Sequence, residues 1–141
     1  MAFEYKGIDL GVWTAAADYS SASHPYRCVT LTTAGTVKLT TAATAVVIGV
    51  LQNRPSSGQM ALVRVSGVTK LRMSTGAAVV ARNTKLGAYA GAGGYGGPQA
   101  AGVTNYILGR ALDIATSATG TIVTCLITHQ GGGSSGAVGG A

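Results

Sequence analysis

Two pairs of residues carry the side chains best suited to metal or redox chemistry. His24 precedes Cys28, and Cys125 precedes His129, each pair four positions apart. Two cysteines with two histidines make a zinc inventory. Both pairs fall at the edges of strand-like segments, where residues four apart are separated by roughly 13 Å, too far to share one ion. The main reading is therefore two buried free thiols, because cysteine packs as a small hydrophobe. An antiparallel alignment of the first and last core strands would set Cys28 opposite Cys125 and His24 opposite His129.

The other candidate motifs are weaker. Gly91, Gly93 and Gly96 fit G-x-G-x-x-G literally. A dinucleotide site needs a strand before that motif, a helix after it and an acid about twenty residues on. Here Pro98 and a run of small residues follow, in a chain with 22 glycines, so the match carries no phosphate-binding expectation. Catalysis needs titratable groups brought together. The acids are Glu4, Asp9, Asp18 and Asp113, three of them near the N-terminus, and no G-x-S-x-G occurs. No catalytic, cofactor-binding or metal-binding residue is assigned, no cofactor is expected, and an enzyme is not expected.

The elements that would position any site are short strands. Segments 26–31, 36–40, 46–52, 61–65, 68–73, 79–81, 105–112 and 121–128 are rich in threonine and valine, and Ala34-Gly35, Ser57-Gly58 and Ser66-Gly67 mark turns between several of them. Strands recurring roughly every ten residues predict an all-β fold, a small antiparallel β-barrel or sandwich. Residues 46–67 form the clearest hairpin signal. They have an echo: Ile48-Gly49 and Gly58 recur in plan as Leu108-Gly109 and Gly120, each glycine pair followed by an alternating strand.

The ends differ from this middle. Residues 1–25 gather Phe3, Tyr5, Ile8, Leu10 and Trp13 ahead of a stretch of small residues. They read as an extended N-terminal arm with adhesive side chains, the alternative being an ordinary first strand. Residues 26–130 read as the β-domain. Residues 131–141 read as a flexible glycine-rich tail.

Composition narrows the class. Charged residues make up 10% of the 141 positions, against ~25% in ordinary soluble domains. Such a surface is expected to be largely covered by partners. The net charge of +6 favours an acidic partner. No segment approaches the ~18–20 continuous apolar residues of a membrane span, and no signal-peptide pattern opens the chain. A reducing cytoplasm is the expected place of synthesis. Single-strand nucleic-acid binding on a barrel needs aromatic platforms on its strands. The strand interiors here carry Val, Leu, Thr and Ala, so nucleic acid is an unlikely partner.

The stretch Val37-Lys38-Leu39-Thr40, then 46–53, Pro55, Gly58, Ala61, 63–66 and Gly67-Val68-Thr69-Lys70 resembles the phage capsid decoration, or cement, proteins. Tyr106-Ile107-Leu108-Gly109-Arg110-Ala111-Leu112 with Gly120 and 121–128 is similar to that family's closing hairpin. The family framework positions here are Gly49, Pro55, Gly58, Gly67, Gly109 and Gly120. The resemblance implies a virion structural protein on the outer face of an expanded icosahedral capsid. It would clamp neighbouring major capsid subunits, commonly as a homotrimer. A head-fibre base or neck component is the alternative, and a basic nucleic-acid-binding barrel a further one. Where family members tend to be acidic, this chain has Arg82-Asn83-Thr84-Lys85. Capsid contact by Phe3, Tyr5, Ile8, Leu10 and Trp13 is inferred from composition, not from the family pattern.

Overall fold

The computed structural model describes residues 5–79, 81–89, 93–99, 105–114 and 120–132. Among them there are nine strands and no helix: β1 (Tyr5–Ala15), β2 (Cys28–Leu31), β3 (Thr36–Leu39), β4 (Gly49–Leu51), β5 (Met60–Arg72), β6 (Lys85–Ala88), β7 (Gly96–Pro98), β8 (Tyr106–Ala111) and β9 (Ile122–Gly132). The all-β expectation holds. The strands form one sheet in the order β1-β3-β2-β4-β5-β9-β8-β6-β7, antiparallel except where β1 meets β3.

The pairing closes on itself through β1, which pairs with β3 at one end and with β5 along most of its length. β1, β3, β2, β4 and β5 therefore form one circuit. From β5 the sheet continues through β9, β8, β6 and β7, and a bridge between Met73 and Gly96 returns it to the end of β5. The buried side chains form two clusters, the second of which also takes Cys28 from β2 and Val50 from β4. Ala15, Tyr19, Val29, Val37, Leu51, Ala61 and Val63 fill the first, with Trp13 packed against them. Leu71, Met73, Leu86, Leu108, Val123 and both cysteines lie in the second.

β5 belongs to both circuits. Its first half pairs with β1 and β4, from Gly67 onward it pairs with β9, and at Gly67 and Val68 β1 and β9 flank it together. Gly67 sits at that change of partner with φ 91°, a left-handed conformation that only glycine adopts without strain. The two echoing hairpins are β4–β5 and β8–β9. In each, the first-strand glycine lies flat against the facing strand. A Cβ on Gly49 would collide with the Arg64 carbonyl oxygen, and one on Gly109 with that of Leu126. A side chain is excluded at both places by the same close approach of backbone.

Several expectations from sequence are corrected. Residues 5–15 do not form a separate arm. They are β1, hydrogen-bonded to β5 and β3, so the first-strand alternative describes them. Segments 61–65 and 68–73 are one strand, β5, with Met73 beyond its end, because Gly67 continues the ladder rather than turning it. In segment 79–81, Val79 and Ala81 belong to none of the nine strands, and Val80 lies outside the described residues. β6 and β7 went unrecognised because KLGA and GGP carry little β-propensity. Leu86 with Pro98, Gly87 with Gly97 and Ala88 with Gly96 hold them together instead. β9 runs to Gly132, two residues into the expected tail, and 133–141 lie outside the described residues.

Candidate functional site

The residues first singled out for chemistry are dispersed. Cys28 faces Val50 across β2–β4, and Cys125 faces Thr69 and Ala111 on β5 and β8, so the two cysteines are not cross-strand partners. Both are free and buried in the second core. Burial pushes the Cys28 thiol far up, with Cys125 nearby adding to the shift. Burial likewise pushes Cys125 up to about 12. These are unreactive thiols in the folded protein.

The histidines are separated too. His24 stacks edge-on against Tyr19 with ring centroids 5.4 Å apart. His129 bridges Tyr106 and the β5 backbone. Its Nε2 lies 2.8 Å from the Val65 carbonyl oxygen, which can only accept, so Nε2 carries the proton and Nδ1 accepts from the Tyr106 hydroxyl at 2.9 Å. No group of three or more His, Cys, Asp or Glu comes together among the described residues. The G-x-G-x-x-G segment leads into β7, not a helix, and Gly91 lies outside the described residues.

The proposed contact residues divide. Phe3 lies outside the described residues, and for Tyr5 the structure gives the backbone pairing with Val68. Leu10 is half-buried opposite Val63, and Trp13 packs on the first core. Ile8 is 57% exposed, and Val12 on the same strand is 73% exposed. The framework positions have structural settings. Gly58 donates its N–H to the Ala15 carbonyl and Pro55 accepts from Tyr19 N–H, so the β4–β5 loop is tied to β1 and the segment after it. Gly120 donates to the Met73 carbonyl.

Electrostatics give the surface its character. Asp9 is held by Arg64 through two hydrogen bonds of 2.7 and 3.0 Å, joining β1 to β5. Ser20 hydrogen-bonds the Asp18 carboxyl first through its side chain and then through its N–H, which holds that carboxyl below the usual range. Asp113 accepts from Thr124 at 2.9 Å. Arg27, only 8% exposed, has no carboxylate partner among the described residues. It donates to Ser23 O, Gly93 O, Ser23 Oγ and Tyr95 OH, and its guanidinium lies 4.0 Å from the Tyr95 ring centroid. Arg27 thus pins the glycine loop before β7 to the entrance of β2.

The outer face of the second circuit was not legible from sequence. Lys85 on β6 stands directly opposite Arg110 on β8, Arg110 opposite Leu126 on β9, and Leu126 opposite Val68 on β5. One lateral row therefore carries two adjacent cations followed by two apolar side chains. Arg110 donates to the Asn83 carbonyl at 3.2 Å, next to exposed Arg82.

The fold therefore defines a strand-only protein with two cores on one shared strand and a basic surface. A solved structure with this fold is that of the head fiber gp8.5 N base in bacteriophage phi29. The two share a TM-score of 0.57 and 14% identity, over 88% of this chain and 96% of that one. No protein-family model and no curated protein matches the chain. No helix among the described residues is long and apolar enough to cross a membrane.

Proposed function

We propose that this protein is a phage virion structural protein that binds the outer capsid surface as a decoration or cement protein. It clamps neighbouring major capsid subunits and acts there as a homotrimer. The observation that carries the virion role is the likeness, over most of both chains, to a phage head-fibre base. The resemblance of residues 46–70 to cement proteins carries the finer role. The physical character of the chain suits both. Linked strand circuits hold one shape, and a chain with only 10% charged residues presents a surface that can be covered widely. Repeated contacts over a symmetric shell add through avidity rather than through one strong centre. Phe3, Tyr5, Ile8 and Val12 at and near the start of β1 are the proposed apolar contacts. Leu10 and Trp13 support the strand from the core side.

A head-fibre base is the second reading, and the same structural likeness favours it. Co-sedimentation of the purified protein with expanded capsids, procapsids and free DNA tests the proposal. Saturable binding to expanded capsids at hundreds of copies per particle is the expected result. Tens of copies or fewer would select the fibre base, and binding to DNA alone would overturn both.

A further inference from the structure

We propose that Arg82, Lys85 and Arg110 form a docking site for an extended, carboxylate-bearing protein segment. Leu126 and Val68 would receive that segment's apolar side chains. The inference deepens the proposed virion role by naming the chemistry of the partner surface, and it rests on that role only for the partner's source.

The register carries the argument. Lys85 and Arg110 are directly paired across β6 and β8. Like charges at such directly opposed positions destabilise the sheet. Among the described residues no opposite charge offsets this. Among the described residues no carboxylate lies within ion-pair distance of Arg82, Lys85 or Arg110, while Asp9 is taken by Arg64 and Asp113 by Thr124. The cations are also held in place. Asn83, with φ 70°, donates its N–H to the Ala111 carbonyl, and Ala111 donates back to the Thr84 carbonyl, so the turn is fastened to the end of β8. Arg110 closes it through the Asn83 carbonyl.

The rest of the row selects a protein over a nucleic acid. Beyond the cations stand Leu126, 38% exposed, and half-buried Val68, not the aromatic platforms on which bases stack. With strands about 4.8 Å apart, the row spans roughly 14 Å from β6 to β5, the reach of four or five extended residues. An acidic strand with two carboxylates at one end and an apolar residue at the other fits it.

The test uses the full chain and three variants: Lys85→Gln, Lys85→Gln with Arg110→Gln, and, as control, Lys38→Gln at an exposed position of β3. Binding is measured to expanded capsids at two salt concentrations. It is also measured to a fluorescent Glu-Glu-x-Leu-type peptide and to a DNA oligonucleotide of equal charge. The expected result is peptide binding that weakens about tenfold in the double variant and loses most of its salt dependence, with the control unchanged. Capsid binding should weaken in parallel. Thermal stability of Lys85→Gln should be unchanged or raised, since a repulsive pair is removed. Equal binding by wild type and double variant would overturn the site, as would preference for DNA over the peptide. Peptide binding without capsid binding would uphold the site while refuting the virion reading.

Discussion

Replacing Arg27 with methionine isolates the energetics of a buried charge that has no counter-ion among the described residues. Methionine keeps the apolar stem and removes the guanidinium. Four hydrogen bonds of 2.8–3.1 Å disappear, together with the contact over the Tyr95 ring. At about 1.5–3 kcal/mol for each bond to a charged donor, the gross loss would be about 6–12 kcal/mol. Two effects cut it down. The variant no longer holds a desolvated cation, a cost of several kcal/mol in the wild type. Ser23 is exposed, so its hydroxyl regains water. What remains is chiefly the Gly93 carbonyl and the Tyr95 hydroxyl left unpaired, so the net destabilisation should be about 2–3 kcal/mol. Arg27→Lys should recover little of it, because an ammonium cannot form the planar fork that reaches Ser23, Gly93 and Tyr95 together. Urea unfolding followed by far-UV circular dichroism and by the fluorescence of Trp13, the only tryptophan, measures the effect. Trp13 reports on the first core and Arg27 braces the second, so coincident midpoints would also establish that the two cores unfold together. A shift below about 0.5 kcal/mol, or a gain, would refute the reasoning by showing that desolvation cancels the bonds entirely.

Three further outcomes are expected. Gly109→Ala should cost about 2–3 kcal/mol in the same assay and Gly49→Ala a similar amount, since each Cβ meets a facing carbonyl oxygen; a neutral result at either would break the equivalence of the two hairpins. Gly67→Ala should cost about 1–2 kcal/mol from its left-handed conformation alone. The buried thiols should resist iodoacetamide at pH 8 in the folded protein and react only on unfolding. The Cys125 thiol is raised in the folded state to about 12 from an unfolded value of about 8.5, so its contribution to stability is complete below pH ~8.5 and is lost as pH rises toward 12. Cys125→Ala should flatten that alkaline decline, and an unchanged slope would contradict the assignment.

What was legible in the sequence was whatever is local. β2, β3, β4, β5, β8 and β9 announce themselves by threonine and valine, and the echo of Gly49 in Gly109 was visible before the contact that explains it. Two things were not legible, for a shared reason. β1 resembles an adhesive arm because Ile8 and Val12, the side chains a buried strand would hide, are exposed. The segment is a strand because its backbone pairs with β5 and because Asp9 finds Arg64, 55 positions away. Likewise Lys85 and Arg110 look like scattered bases until the β6–β8 register sets them face to face. Local pattern reports propensity and alternation, whereas register between distant strands is decided by the whole sheet.

That same sheet explains why a surface row of modest charge can serve as a binding site. β5 is shared by both circuits, so the strands beneath Leu126 and Val68 are braced by β9 on one side and, through Tyr5 and Gly7, by β1 on the other. The turn holding Arg82 is fastened by two backbone hydrogen bonds to β8. Docking on such a scaffold orders side chains but little backbone, and side-chain ordering costs only about 0.5–1.5 kcal/mol for each long residue. An acidic segment that relieves the Lys85–Arg110 repulsion recovers part of that cost at once. Weak individual contacts on a rigid, pre-formed row would suit the proposed role on a symmetric shell, where each copy need bind only modestly for the lattice to hold.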